Sequence, residues 1–201
     1  MADEGTYNDT PVGPDDAVAF LPGVEFETLA ELYAAEAQEL NDLRSQLYDA
    51  IEAGELTAID ITSRYNLEKM HELANGAIWT WAGRFRTAGL NIGSPPEFIR
   101  EHLYGALDGF AWQTENIETI GLSPERLAMT AHHQLVRIHP FVDGNGRITR
   151  LFADVLLLAL TGDRVFDWIE GTAYFDALRR ADFTMDVSEL LTIVGVQIFR
   201  D

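Results

Sequence analysis

One short segment in the second half of the chain holds the residues whose types and spacing best suit catalysis. It reads HPFVDGNGRITR and contains His139, Asp143, Arg147 and Arg150. A histidine can act as a general base near neutral pH, and a single carboxylate can hold Mg²⁺ together with phosphate oxygens. Two arginines three residues apart on a helix can clamp a polyphosphate. The segment therefore predicts chemistry on a phosphorylated ligand.

Two glycines in this segment come just before a strongly helical pattern. Gly144 and Gly146 let a phosphate approach the backbone without obstruction by a side chain. The helix N-terminus that follows carries partial positive charge and N–H groups without intrahelical acceptors. We therefore expect an anion site at the start of this helix, with His139 placed as a base at the end of the preceding helix.

The elements that must position this segment are helices. Ser123 as N-cap and Pro124 at the first helical position predict a helix that runs to about Ile138. The stretch 147–160 is apolar nearly all round, which predicts a buried helix. Further helices are predicted at 25–53, 60–75, 96–113, 172–182 and 186–199. Residues 83–96, here called the flap, predict a short hairpin, so the fold class is a mainly helical bundle with one hairpin.

Composition limits the classes of protein that fit. At 201 residues with 47% hydrophobic content, the chain predicts one globular unit, with an N-terminal arm and a helix packing on the core over residues 1–54 and a catalytic domain over 55–201. A net charge of −19 argues against nucleic-acid or membrane-surface partners. The absence of cysteine excludes thiolate chemistry, and the acidic start, without a long apolar run, predicts a cytoplasmic protein.

Histidines also raise the alternative of a zinc site. His132, His133 and His139 are close in sequence, but His133 and His139 are six residues apart and do not share one helical face. An isolated histidine is more often a capping or core residue than a catalytic one. The surrounding motif favours catalysis for His139 over both alternatives.

The segment HPFVDGNGRITR resembles, at every defined position, the Fic-family motif H-x-F-x-[D/E]-G-N-G-R-x-x-R. This resemblance implies a Fic-type bundle and a protein adenylyltransferase, which moves AMP from ATP to a Tyr, Thr or Ser hydroxyl of a target protein while pyrophosphate leaves. It implies these roles: His139 as base, Asp143 for Mg²⁺, Gly144, Asn145, Gly146, Arg147 and Arg150 for the nucleotide phosphates, and Pro140 with Phe141 as structural anchors of the loop.

The resemblance extends to the flap, which in the family aligns an extended target segment by strand addition. The implied docking residues are Arg86, Thr87, Ala88, Gly89, Leu90, Asn91, Ile92 and Gly93. Gly146 occupies the position where phosphorylating members carry a lysine, which favours AMP transfer. The N-terminal layout is similar to that of the subfamily called mobile mystery protein B.

Regulation and two alternative functions stay open at this point. Fic proteins are often inhibited by a helix with the pattern [S/T]-x-x-x-E-[G/N], but the Thr114 to Glu118 match is followed by Thr119, and Glu36 lacks the preceding Ser or Thr. Either an internal lid or a separate antitoxin-like partner could restrain the enzyme, and a homo-oligomer is not decided. Removal of AMP from a modified protein, or a silent nucleotide-binding or partner-binding module, are the alternatives to AMP transfer.

Overall fold

The protein is mainly helical, as the sequence predicts. A computed structural model describes residues 11–13, 18–169 and 171–199, so part of the predicted arm lies outside the described residues. The helices are α1 (Leu29–Glu52), α2 (Ala58–Ile61), α3 (Asn66–Asn75), α4 (Ile99–Glu115), α5 (Ile117–Ile120), α6 (Pro124–Ile138), α7 (Asn145–Thr161), α8 (Thr172–Thr184) and α9 (Ser188–Val194), with a 3₁₀ turn at Pro96–Phe98. Two strands, β1 (Arg164–Phe166) and β2 (Val196–Ile198), pair antiparallel with Val165 opposite Gln197.

The described residues of 1–46 and 68–84 form one compact unit. Its buried core contains Phe20, Leu32, Ile78 and Trp79, where apolar area is removed from water. Backbone hydrogen bonds from Leu21 to the Ile78 carbonyl and from Thr80 to the Ala19 carbonyl fasten the N-terminal segment to the segment after α3. The described part of the predicted arm is therefore bound along its own unit by main-chain pairing and packing.

Glu36 has a structural position within this unit. Its side chain is buried on α1, and its carboxylate accepts a 2.8 Å hydrogen bond from the indole N–H of Trp79. A buried carboxylate needs such a donor, because an unpaired buried charge is costly. The sequence marked Glu36 as an inhibitory candidate, whereas the structure places its carboxylate in the packing around Trp79.

The described residues of 47–67 and 85–201 form the second compact unit, which contains the segment 139–150. Its centre is α7, whose residues from Leu151 to Leu158 are all buried. This helix packs against α6, α2 and β1, which explains why it is apolar nearly all round. The predicted start of α6 is confirmed, because the Ser123 hydroxyl accepts a hydrogen bond from the Arg126 N–H and Pro124 is the first helical residue.

Asp154 is the one acidic residue on the buried part of α7. Its carboxylate accepts hydrogen bonds from the backbone N–H of Phe166 and from the indole N–H of Trp168. These donors compensate for the loss of water around the charge. Asp154 thereby holds the segment after α7 against the central helix.

Three predicted elements differ from the structure. The helix expected at 60–75 is two helices, because Thr62 and Asn66 use their side chains to bond carbonyls of α2 and so compete with continued helix. The helix expected at 186–199 ends at Val194, where Gly195 takes φ 70° and the chain continues into β2. The flap has no strand pair and forms only an isolated bridge between Phe85 and Phe141. The domain boundary at residue 54 remains a prediction.

None of the described helices is both long and apolar enough to cross a bilayer.

Candidate active site

His139 lies at the C-cap of α6 in a left-handed backbone conformation, with φ 52° and ψ 60°. Its own N–H still bonds the Leu135 carbonyl at 3.2 Å, which closes the helix. Left-handed geometry is costly for a residue with a Cβ and persists only where the surroundings impose it. Among the described residues, only His139 and Met185 combine a side chain with positive φ. The conformation turns the chain sharply out of α6 and presents the imidazole beside the following loop.

The loop after His139 is held by Asn145, the first residue of α7. The Asn145 amide oxygen accepts from the Phe141 N–H, and its amide nitrogen donates to the Phe141 carbonyl, both at 2.9 Å. Phe141 is fully buried, with its ring centre 5.9 Å from that of Phe85. The Asn145 side chain is thus occupied within the loop, so any contribution to an anion site would come from its backbone N–H.

The start of α7 has the geometry expected of an anion site. Gly144 is the N-cap with φ 74°, and no N-cap side chain bonds the terminal N–H groups of the helix. A Cβ at Gly146 would meet no atom closer than the Arg150 Nη2 at 4.0 Å. The N-terminal turn is therefore open on the side where Arg150 lies.

The charged residues of the motif surround this turn. Arg147 Nη2 lies 3.5 Å from Asp143 Oδ2, with the Asp143 side chain 67% exposed. Arg150 donates from Nε to the Gly146 carbonyl at 3.2 Å. The pair of arginines and the carboxylate therefore lie within a few residues of the helix N-terminus, and an exposed carboxylate can take up a cation without disturbing the core.

The donor set suits a Mg²⁺ ion that is shared with a nucleotide. The described residues contain no group of three or more His, Cys, Asp or Glu side chains that would hold a metal by themselves. Mg²⁺ is ordinarily held by one or two carboxylates together with substrate phosphates. The exposed Asp143 carboxylate beside the N-terminus of α7 provides one such ligand.

The imidazole of His139 favours its neutral form. Burial lowers its pKa below the ordinary value, and the nearby Arg86 cation lowers the pKa further. A hydrogen bond to the Val136 backbone and the charge of Asp143 act in the opposite direction. Because one ring nitrogen is used toward Val136, the other is left as an acceptor, which is the state a general base needs.

Flap residues divide into one buried side chain and an exposed stretch. Arg86 is 3% exposed, and its guanidinium bonds the carbonyls of His139, Ala88 and Ser94. The remaining docking candidates are exposed: Thr87, Ala88, Gly89, Leu90, Asn91, Ile92 and Gly93. Arg86 is therefore part of the scaffold of the flap, and its side chain is not presented to a docking protein as the sequence suggested.

A cleft of about 1740 Å³ opens beside His139. Its walls come from the end of the flap, α4, the last turns of α6, Gly146 and α8. The α8 wall presents Phe175, Leu178 and Arg179, which sequence reasoning did not select. Their spacing of three and four residues is the only signal in the sequence, and it is indistinguishable from that of an ordinary core-facing stripe. The cleft is large enough for a nucleotide and part of a peptide.

The two histidines before the motif are structural. His132 is fully buried and its Nε2 is 2.6 Å from the Tyr174 hydroxyl, while His133 Nε2 is 3.0 Å from Asp182 Oδ1. Burial lowers the pKa of His132 to about 3, with a further contribution from the Arg150 cation. Through their Nε2 atoms both rings connect α6 to α8, which forms one wall of the cleft.

Comparison with known sequences matches the description Fic/DOC family over residues 37–157. Protein adenylyltransferase fic-1 of Caenorhabditis elegans is 36% identical over 81 residues, which are 38% of this chain and 15% of the relative. Protein adenylyltransferase Fic of Drosophila erecta is 51% identical over 45 residues, or 22% and 9% of the two chains. The chain thus spans 15% or less of the length of these curated relatives.

Solved structures share the fold. A fragment of Fic-1 from C. elegans superposes with a TM-score of 0.61 at 25% identity, covering 88% of this chain and 50% of that one. The N-terminal Fic domain of a VirB-translocated Bep effector from Bartonella quintana gives 0.64 at 18% identity, covering 87% and 84%. BepC from Bartonella tribocorum, with bound AMPPNP, gives 0.62 at 16% identity, covering 90% and 97%.

Proposed function

This chain belongs to the Fic/DOC family, and on that premise we propose that it is a protein adenylyltransferase. The proposed reaction transfers AMP from ATP to a Tyr, Thr or Ser hydroxyl of a target protein. The target oxygen forms a bond to the α-phosphorus, the bond from that phosphorus to the β-phosphate bridging oxygen breaks, and pyrophosphate leaves. The hydroxyl proton passes to the imidazole of His139.

A single observation carries this proposal. An imidazole with a lowered pKa lies on the wall of a nucleotide-sized cleft, which also includes Gly146 at the N-terminus of α7. The base and the anion site are thus built into one connected segment of fewer than ten residues. Phosphoryl-type transfer depends chiefly on positioning and charge stabilisation, and this segment supplies both.

The nucleotide would be held by groups that need no rearrangement of the loop. The N-terminal turn of α7 favours an anion, while Arg147 and Arg150 lie beside the same turn. Mg²⁺ held by Asp143 would neutralise charge on the phosphate oxygens when bound. The open space at Gly146 leaves room for the phosphate chain, in keeping with transfer of AMP.

Target docking would use the backbone of the exposed flap residues 87–93. An extended peptide can pair with a free backbone edge, since such pairing depends on main-chain groups more than on side chains. The exposed Leu90 and Ile92 would add apolar contact next to the cleft. Bulk binding of nucleic acid is disfavoured by the net charge of −19.

The proposal extends to regulation and location. Glu36 is the second candidate for an inhibitory glutamate. Its carboxylate accepts a hydrogen bond from the Trp79 indole, so it has a structural partner within the chain. A separate antitoxin-like inhibitor is the form of control we propose, with the oligomeric state to be measured in the same preparations by light scattering. We also propose a cytoplasmic location, which cell fractionation would test.

Transfer of labelled phosphate from ATP to protein distinguishes the proposed function from its alternatives. Purified protein is incubated with Mg²⁺, a lysate as source of targets, and ATP labelled at the α-phosphate or at the γ-phosphate. We expect label on protein only from α-labelled ATP, and none with His139→Ala. Label from γ-labelled ATP would indicate phosphorylation instead. Loss of AMP from a pre-modified protein would indicate the reverse reaction, and ATP binding without any transfer would indicate a silent module.

A further inference from the structure

Arg86 is buried at the start of the flap, and its guanidinium makes three hydrogen bonds to backbone carbonyls. Its Nε donates to the His139 carbonyl at 2.7 Å, Nη1 to the Ala88 carbonyl at 2.9 Å and Nη2 to the Ser94 carbonyl at 2.5 Å. Only 3% of the residue is exposed. A guanidinium has five donors in a fixed plane, which suits simultaneous bonds to several carbonyls.

The bond to His139 acts on the strained residue itself. In a regular helix the His139 carbonyl would point along α6, but the left-handed φ of 52° turns it away from the helix axis. The Arg86 Nε donates a hydrogen bond to this rotated carbonyl. A left-handed non-glycine residue needs such a restraint, since the conformation is costly by itself. The Arg86 guanidinium therefore stabilises the backbone geometry that presents the imidazole.

Gly93 closes the arrangement from the opposite side. It has φ 86°, and a Cβ there would lie 2.7 Å from Arg86 Nη2 and 2.7 Å from His139 Cβ. The flap backbone thus passes in direct contact with both side chains. On either side of this contact, Arg86 N–H bonds the Pro140 carbonyl and Ser94 N–H bonds the Ile138 carbonyl. Arg86, Gly93 and His139 are therefore closely packed against one another.

The charge of Arg86 has a second effect on His139. Burial is the main reason that the pKa of His139 is lowered, and the Arg86 cation lowers it further, against the Asp143 carboxylate and the Val136 hydrogen bond. The other charged or titratable groups of the motif and the cleft walls come from α4, α6, α7 and α8, namely His102, Arg137, Arg147, Arg150, Arg179 and Asp182. Arg86 therefore acts on His139 in two ways. It donates a hydrogen bond to the backbone carbonyl, and its charge lowers the pKa of the imidazole.

Resting on the proposed function, we propose that Arg86 is a positioning residue that fixes the backbone of His139 and so aims the imidazole at the target hydroxyl. It does not touch substrate, because only 3% of the residue is exposed and three of its five donors bond backbone carbonyls. Its loss should affect the chemical step while leaving nucleotide binding in place, since the phosphates are held from α7. Misplacement of a catalytic group by about 1 Å can cost on the order of 100-fold in rate.

The experiment compares Arg86→Gln, Arg86→Lys and the control Arg84→Gln. Arg84 is exposed and lies two residues earlier in the same segment. We expect Arg86→Gln to lower kcat by about 100-fold with little change in KM for ATP. Lysine keeps the charge but cannot make three planar bonds, so Arg86→Lys should also lose most of kcat. Arg84→Gln should match the wild type in both constants.

NMR of the His139 ring and backbone supplies a measurement that needs no turnover. Removing the cation should move the titration of His139 to higher pH in Arg86→Gln, because the imidazolium is no longer repelled, and less so in Arg86→Lys. The Cα and Cβ shifts of His139 should leave their left-handed values in both variants. If Arg86→Gln does not fold, Arg86→Lys carries the test alone.

The opposite results would overturn the proposal. These are a kcat for Arg86→Gln equal to that of Arg84→Gln, a parallel loss of kcat, ATP affinity and folded fraction, or an unchanged His139 backbone. If the wild type itself transfers no AMP, the proposed function fails, and the NMR comparison still decides whether Arg86 positions His139.

Discussion

Asn145 and Phe141 form a closed pair in which one side-chain amide satisfies both backbone groups of a buried residue, with two hydrogen bonds of 2.9 Å. The pair spans the loop between α6 and α7 and so fixes the positions of the charged residues of the motif. Its energetic role can be measured apart from any role in nucleotide binding, because the Asn145 amide oxygen and one amide N–H are bonded to the backbone of Phe141.

Asn145→Ala should therefore destabilise the protein rather than only weaken the site. The change leaves the buried N–H and carbonyl of Phe141 without their partner, and each unsatisfied group costs about 1–3 kcal/mol. Urea denaturation followed by circular dichroism measures the loss in free energy of unfolding. Asn91→Ala, at an exposed flap position, serves as the control and should change the stability little. Equal stability of the two variants would contradict a structural role for the Asn145 amide.

His139→Ala should abolish transfer of AMP while ATP binding persists. In the proposed mechanism the imidazole only accepts the proton of the target hydroxyl, and the loss of a general base costs on the order of 10²–10⁴ in rate. Labelling with α-labelled ATP measures transfer, and the rise of Tm with Mg·ATP measures binding. A variant that labels protein at the wild-type rate would remove His139 from the mechanism. One that neither labels nor binds would show that His139 supports the site structurally.

Arg150→Ala should weaken binding of ATP more than binding of AMP. If Arg150 lies on the terminal phosphates, its charge-assisted contact contributes about 1.5–3 kcal/mol to ATP alone. Calorimetry with both nucleotides tests this, with Arg64→Ala as a control because Arg64 pairs with Asp108 in an exposed salt bridge. Equal weakening of ATP and AMP would place Arg150 near the α-phosphate or the base instead.

Asp143→Asn should raise the Mg²⁺ concentration needed for half-maximal transfer and leave the fold intact. The Asp143 side chain is 67% exposed, so the amide needs no repacking, but it lacks the charge that a hard cation prefers. Titration of transfer activity with Mg²⁺, with Tm as the control for folding, measures the effect. An unchanged Mg²⁺ dependence would exclude Asp143 as a metal ligand.

Stability should rise with pH because of the buried histidines. The folded-state pKa of His132 is about 3, against 6.5 for an ordinary histidine, and burial is the main cause. Between these values the unfolded chain binds more protons than the folded one, so stability is lost as pH falls from about 6.5 toward 3. Measuring the free energy of unfolding between pH 5 and 7 avoids most carboxylate titration. His133 and His139, whose pKa values are also lowered by burial, act in the same direction.

Two variants separate the His132 contribution in this measurement. His132→Gln removes one titrating group and should flatten the dependence of stability on pH. Tyr174→Phe removes only the 2.6 Å hydrogen bond partner, so it should lower stability at every pH while retaining the slope. An unchanged slope in His132→Gln would mean that His132 is not the titrating group.

The sequence was sufficient for the motif and for the helices around it, because both depend on local signals. Ser123 and Pro124 start α6 through capping chemistry that involves only neighbouring residues. The buried character of α7 follows from its apolar composition on all sides. Such features need no knowledge of distant partners.

The remaining features depend on partners far apart in the chain. In the sequence Arg86 is predicted to be an exposed flap residue. In the structure its guanidinium donates to the carbonyl of His139, which is 53 residues away. The flap alternates like a hairpin, yet its ends pair with residues 138–140 rather than with each other. The exposed face of α8 becomes a cleft wall only through the packing of the second unit. Tertiary contacts therefore overrode local propensity at these positions.

The flap is joined to the motif at its two ends by main-chain hydrogen bonds, through Arg86 N–H and Ser94 N–H. Backbone bonds do not depend on side-chain identity, so residues 87–92 between those ends can vary while the base of the flap stays in place. Under the proposed function, substitutions at the tip would alter which proteins are recognised without altering how the proton is removed. The proposed target choice and the proposed reaction could then evolve separately, with Gly93 at the boundary between the two sets of residues.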